Sequence, residues 1–185
     1  MHPLGQLKCY GATPRHMQKL SKEQLVDIAK ERVKSRLLSE VRIPAAESYW
    51  EDSELVACWD KSTRKGILVI ELDELYLTTF ELGGKVADSK TGRTKPVICD
   101  LCYTWQQGGK AATITCSRER DRHTFTYLCC ADLRCSLHIR SETAEGTLSR
   151  AHIHEDLTPE QRTTRMRQRL YRFISTLELL PVTKF

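Results

Sequence analysis

The sequence predicts an α+β fold in which antiparallel hairpins are preceded by an amphipathic helix and closed by a C-terminal helix. Three observations carry that expectation. Two pairs of β-rich segments, over 66–82 and 110–130, are each divided by a charged turn; capping boxes open helical patterns at Ser21 and Thr158; and cysteines flank the second pair at knuckle spacing. The chain has 185 residues, 40% of them apolar, which fits one domain of ordinary size or two small ones and makes a multidomain enzyme unexpected. Its 29 basic and 24 acidic residues leave a net charge of +5, too balanced for a disordered polyelectrolyte and mildly favourable to an acidic partner.

Residues 1–20 mix His, Pro, Gly and basic residues without period and read as a loosely ordered leader. No basic stretch followed by an apolar segment and a cleavage site occurs there, so a cytoplasmic location is expected. Ser21 with Gln24 forms a capping box, and Leu25, Ala29, Val33, Leu37 and Val41 recur every four residues until Pro44. That pattern predicts one helix over 21–42 with a solvated basic surface, so 1–43 is taken as leader and N-terminal helix and 44–185 as the main α/β domain. Residues 45–65 read as a connector whose Trp50 and Trp59 plug the core. GILVIEL (66–72) and LYLTTFEL (75–82), split by Asp73-Glu74, predict a hairpin, with a helix as the competing reading. Gly83-Gly84 and the polar residues after them read as a flexible connection. The longest aliphatic run, Ile67 to Ile70, is far too short for a membrane span.

Eight cysteines in a reducing compartment point to metal rather than disulfides. Cys99 and Cys102 form a CxxC, a spacing that lets one tight turn aim two thiolates at a single ion. KAATITCS and HTFTYLCC form a hairpin around RERDR, and Cys130 and Cys135 follow at a helix start. Knuckle, hairpin and helix start in that order describe a treble clef over 97–140, with Asp132 available to cap the helix. Four thiolates leave a Zn²⁺ no open position, so one structural zinc and no metal-dependent turnover are expected.

Cys129 stands beside Cys130, and neighbouring strand residues face opposite ways, so one alone can reach the ion. Cys130 is taken as the ligand and Cys129 as a core thiol, the reverse being left open. Cys9, Cys58 and Cys116 read as isolated buried thiols; His138, His152 and His154 read as exposed or half-buried imidazoles. A redox role for Cys99 and Cys102 would require a strand-to-helix turn in a βαβ context, which the segment lacks. No phosphate-binding glycine loop, nucleophile elbow or HExxH occurs. Thr158-Pro159-Glu160-Gln161 opens a helix over 158–180, in which Met166, Leu170, Phe173, Ile174 and Leu177 form an apolar stripe beside Arg162, Arg165, Arg169 and Arg172. The stripe is read as packing on the domain and the arginines as facing water, with a protein-binding edge as the sharper reading.

KPVICDLCYTW, then TYLCCADLRCSLHIR, then an arginine-rich helix resembles the FusB/FusC family of elongation factor G-binding proteins. The resemblance is strongest over 97–140 and weaker through the flanks. It implies a treble-clef zinc domain with Cys99, Cys102, Cys130 and Cys135 as ligands and no catalysis. It also implies that elongation factor G is the partner, helped off the ribosome, which in some members lets translation escape fusidic acid while a housekeeping role in translation is the other reading. Longer members carry an N-terminal helical bundle, so this chain looks like a shortened one. Tyr127, Tyr171, Arg172 and Phe173 match the family's contact surface, although Tyr127 and Phe173 could equally be core residues. An RNA-binding zinc module is the alternative, disfavoured by the lack of a concentrated Lys/Arg block. A monomer is expected, because no second long apolar helix face is present.

Overall fold

The computed structural model describes residues 17, 19–30, 33, 35–43, 50–86, 96–106, 108–118, 120, 121, 123–143 and 156–182. The leader 1–16 with Cys9, the polar segment 87–95, and His152 and His154 lie outside them. A five-stranded antiparallel sheet organises the rest, in the order β1-β2-β3-β4-β5, where β1 is Leu55–Asp60, β2 Lys65–Glu71, β3 Leu75–Lys85, β4 Ala111–Ser117 and β5 Thr124–Cys130. Both expected hairpins form, β2 with β3 and β4 with β5.

The run Ile67 to Ile70 is apolar at every position because β2 is covered on both faces. Alternation along the strand sends Leu68 and Ile70 to one core and Ile67 and Val69 to another. The first core is capped by the C-terminal helix and the cysteine-rich segment, with Leu170, Phe173 and Leu177 packed beside Ile114 and Cys116. The second is capped by the N-terminal helices, whose Leu25, Ala29 and Leu38 pack with Trp50 against Val56 and Cys58. Three expectations change here. Residues 55–60 are not connector but the edge strand β1; Trp50 is fully buried as expected, and Trp59, half-buried near the strand's end, packs against the first core. Gly83 and Gly84 lie within β3, where the register with β4 shifts between Leu82 and Lys85; glycine here marks a bulge, not a linker.

The third change concerns the N-terminal helix, which divides into α1 (Lys22–Ala29) and α2 (Ser35–Glu40). At about 100° per residue a period of four drifts roughly 40° at each step, so one straight helix cannot keep Leu25 and Val41 on the same face. The break resets the phase: Leu25, Ala29 and Val33 are buried, then Leu38 takes the inward place expected of Leu37, and Val41 follows. The capping box at Ser21 forms as expected, with Gln24 N donating to Ser21 Oγ and Ser21 N to Gln24 Oε1. Among the described residues no helix is long and apolar enough to cross a membrane.

A second, small sheet pairs Val97–Ile98 with Trp105–Gln106, holding the first knuckle between them. A short helix, α3 (Cys135–Ile139), follows β5, and α4 (Pro159–Leu177) closes the fold. Thr158 and Gln161 cap α4 reciprocally, and Glu178 ends it in the left-handed conformation at φ 52°, three residues short of the expected limit near 180.

Candidate metal centre

The knuckle Cys99–Cys102 turns between the two short strands of the small sheet. Cys99 N donates to Thr104 O at 3.0 Å, Tyr103 N returns to Cys99 O at 2.9 Å, and Tyr103 takes φ 62° to close the turn. Asp100, between the two cysteines, fastens the knuckle to the sheet edge. Its N–H donates to Leu128 O at 2.8 Å and its carboxylate accepts from Leu128 N at 2.7 Å. The second pair is built where β5 ends: Cys130 is its last residue, Leu133 turns the chain at φ 56°, and Cys135 opens α3. A left-handed leucine is strained by roughly 1–3 kcal/mol. Full burial of its side chain in the first core offsets that strain.

Cys99, Cys102, Cys130 and Cys135 are all buried, and their four sulfurs lie within 4.8 Å of one another. Cys99 to Cys135 is 3.8 Å and Cys102 to Cys130 is 3.6 Å. A tetrahedron with sulfurs about 2.3 Å from its centre has edges of roughly 3.8 Å, so the set has the dimensions of a four-thiolate zinc cage. Cys129, on the opposite face of β5, is buried away from the cage, and burial pushes its pKa far up.

The thiols themselves show why a cation fits. Despite burial, hydrogen bonds from Cys130, Cys135, Cys99 and His138 draw the Cys102 pKa well below the ordinary thiol value. Burial and the neighbouring Cys102 push Cys130 well up, and Cys102 does the same to Cys135. Protein alone stabilises one thiolate at the expense of its neighbours; a central dication makes all four favourable.

A family model described as the FBP C-terminal treble-clef zinc-finger matches residues 28–177. The chain belongs to this family. Neither a curated protein nor a solved structure matches it. The treble-clef zinc-finger family and the sulfur geometry agree on one structural zinc, held by a knuckle and a helix start as the residue order predicts.

Around this zinc finger the structure corrects three readings. His138 is neither exposed nor half-buried: it is 1% exposed, with Nδ1 3.1 Å from Cys130 Sγ and Nε2 3.3 Å from Asp132 Oδ2. Burial works against its charged form, but Asp132 and Cys102 outweigh burial and lift its pKa to about 9. Asp132 does not cap α3, whose N-cap residue is Arg134; it accepts from Arg134 N at 3.1 Å and braces His138. Arg162, expected in water, is buried at 4% exposure. The finger is tied to the far sheet edge by Arg140, which makes a two-pronged ion pair with Glu54 at 2.7 and 3.1 Å, and by Ser136 Oγ, which accepts from Glu54 N and Leu55 N.

The candidate contact residues do not form one patch. Phe173 is 3% exposed and belongs to the first core, its ring 5.0 Å from that of Tyr127, so no exposed Phe173 ring is available to a partner. Tyr171 is exposed but ties its hydroxyl to Asp73 in the β2–β3 turn, and lies about 100° around α4 from Arg172. Tyr127, Arg172 and Phe173 share the walls of a cavity of about 220 Å³ with Arg169, Asp100 and Thr176. Next to it Tyr103, 40% exposed, is clasped by Arg165 at 4.7 Å and Arg169 at 4.1 Å from its ring centre. Arg165, Arg169 and Arg172 follow the helical repeat, which is legible in sequence; the meeting of Arg165 and Arg169 with Tyr103 is not, because it depends on the knuckle's left-handed turn.

Cys58 and Cys116 are buried as expected, and burial pushes each pKa up to about 12. At pH 8 roughly one thiol in ten thousand would then be ionised, so both should resist attack. Brief N-ethylmaleimide treatment of the folded protein, followed by peptide mass spectrometry, should leave Cys58, Cys116 and Cys129 unlabelled, and full labelling should follow denaturation.

Proposed function

We propose that this protein docks on elongation factor G and promotes its release from the ribosome, thereby protecting translation from fusidic acid, and that it acts by binding rather than by turnover. The observation that carries the reading is the face formed where α4 crosses the zinc knuckle. There an exposed aromatic, Tyr103, is held by Arg165 and Arg169 beside a cavity lined by Tyr127, Arg169 and Arg172. Aromatic and arginine side chains on a rigid support suit the centre of a protein interface, and the guanidinium groups of Arg169 and Arg172 on the cavity wall suit an acidic partner surface. The resemblance of the cysteine segments and the arginine-rich helix to the FusB/FusC family supplies the partner. The net charge of +5 acts in the same direction.

Titration calorimetry with purified elongation factor G tests the reading, and absence of binding at micromolar concentration by the folded, zinc-loaded protein would overturn it. Arg172→Glu should weaken binding at least tenfold, roughly 1.4 kcal/mol or more, because it reverses a charge on the cavity wall. Its circular dichroism melt should be unchanged, since Arg172 is exposed. Tyr171→Phe, which alters only the tie to Asp73, should bind like the parent.

A further inference from the structure

The zinc cage is hydrogen-bonded on one edge by buried polar side chains that a purely apolar core would exclude. Thr104, Gln106 and His138 are 1%, 0% and 1% exposed. Thr104 Oγ1 is 2.9 Å from Cys102 Sγ and receives Gln106 Nε2 at 3.0 Å, so the hydroxyl proton is directed to the sulfur. His138 Nδ1 is 3.1 Å from Cys130 Sγ, with Asp132 on the far side of the ring. A metal-bound thiolate can only accept, so toward Cys130 Nδ1 is the donor, and that contact is shorter than the 3.4 Å from Nδ1 to Gln106 Nε2. Asp132 Oδ2, 3.3 Å from Nε2, faces the ring as an ionic partner without hydrogen-bond geometry.

We propose that His138, braced by Asp132, and Thr104, braced by Gln106, are positioning residues of the zinc site. By donating to Cys130 and Cys102 they withdraw charge from these two thiolates and hold them at metal distance. The zinc-loaded cage carries a formal charge of −2 in a dry core, so two side-chain donors on one edge relieve charge that no solvent reaches. The arrangement makes Cys102 and Cys130 the protected pair. Cys99, by contrast, accepts a longer backbone bond from Cys102 N, at 3.4 Å.

The test uses the full-length protein and four variants: His138→Phe, His138→Asn, Thr104→Val and Thr104→Ser. Asn keeps an N–H near the Nδ1 position and Ser keeps the hydroxyl, whereas Phe and Val keep volume and lose the donor. Zinc affinity is measured by competition with a chromophoric chelator. The cobalt-substituted proteins are compared through their sulfur-to-cobalt charge-transfer bands. His138→Phe should lower zinc affinity by about 10–100-fold and shift the charge-transfer band to lower energy, because an unrelieved thiolate gives up its electron more readily. His138→Asn should recover most of both effects. Thr104→Val should move both readouts in the same direction by a smaller factor, with Thr104→Ser close to the parent. Unchanged bands and affinity in folded Thr104→Val and His138→Phe would overturn the proposal. So would a His138→Asn protein no better than His138→Phe, since loss of packing alone would then account for the effect. Should His138→Phe fail to fold, the Thr104 pair and His138→Asn decide the matter.

Discussion

Stripping the metal from the purified protein is expected to unfold residues 97–140 and loosen α4 from the knuckle it covers. Structural zinc contributes roughly 10–16 kcal/mol in small peptides at neutral pH, comparable with or above the 5–15 kcal/mol that separates a typical folded domain from its unfolded chain. The four ligands are distributed over the knuckle, the end of β5 and the start of α3, so the ion is the common anchor of three elements. Without it their sulfurs become a cluster of buried thiols, two of which are pushed well above the ordinary pKa. Near-ultraviolet circular dichroism during chelation should show loss of the Trp105 and Tyr103 environments, and limited proteolysis should cut within 97–140. Returning one equivalent of zinc should restore both. The sheet β1–β3 under α1, α2 and Trp50 should persist longer, because that second core contains none of the ligands. Cys135→Ser should reproduce the effect of chelation. An apoprotein with the melting temperature and spectrum of the loaded one would remove the structural role of the metal.

The ligands were legible in the sequence because a knuckle and a helix start impose short, local spacings. Hairpins were legible because β-branched segments met at charged turns, and α4 because its cap, proline and stripe are all encoded within a few turns. What depended on distant chain segments was not legible. β1 contains Trp59 and Asp60 and alternates poorly, so only its pairing with β2 identifies it as a strand. His138 looks polar and exposed in a list of residues, yet the turn at Leu133 folds α3 back until its ring lies against Cys130. Gly83-Gly84 signalled a change in the chain, but sequence does not distinguish a bulge that continues a strand from a loop that ends one. The candidate contact residues show the same limit. Helical phase placed Arg172 outside and Phe173 inside, while the tie from Tyr171 to Asp73 required the hairpin turn to lie where it does.

Phe173→Ala should destabilise the protein by about 3–5 kcal/mol, lowering the melting temperature by roughly 6–20 °C for a chain of this size. The ring is 3% exposed, packs at a tilted 56° on Tyr127, and helps α4 cover the first core together with Leu170 and Leu177. Deleting it removes both its transfer energy and the wall that Tyr127 leans on, and the surrounding strands cannot collapse into the gap without moving the knuckle. Thermal melts followed by circular dichroism measure the loss directly. Binding to elongation factor G distinguishes a core role from a contact role. Below its lowered melting temperature, folded Phe173→Ala should lose affinity only to the extent that the Tyr127–Arg172 cavity relaxes, and Phe173→Leu should restore stability and affinity together. A protein that melts like the parent but no longer binds would instead place the ring in the interface. That result would require α4 to turn about its axis on docking and bring Phe173 out of the core it fills.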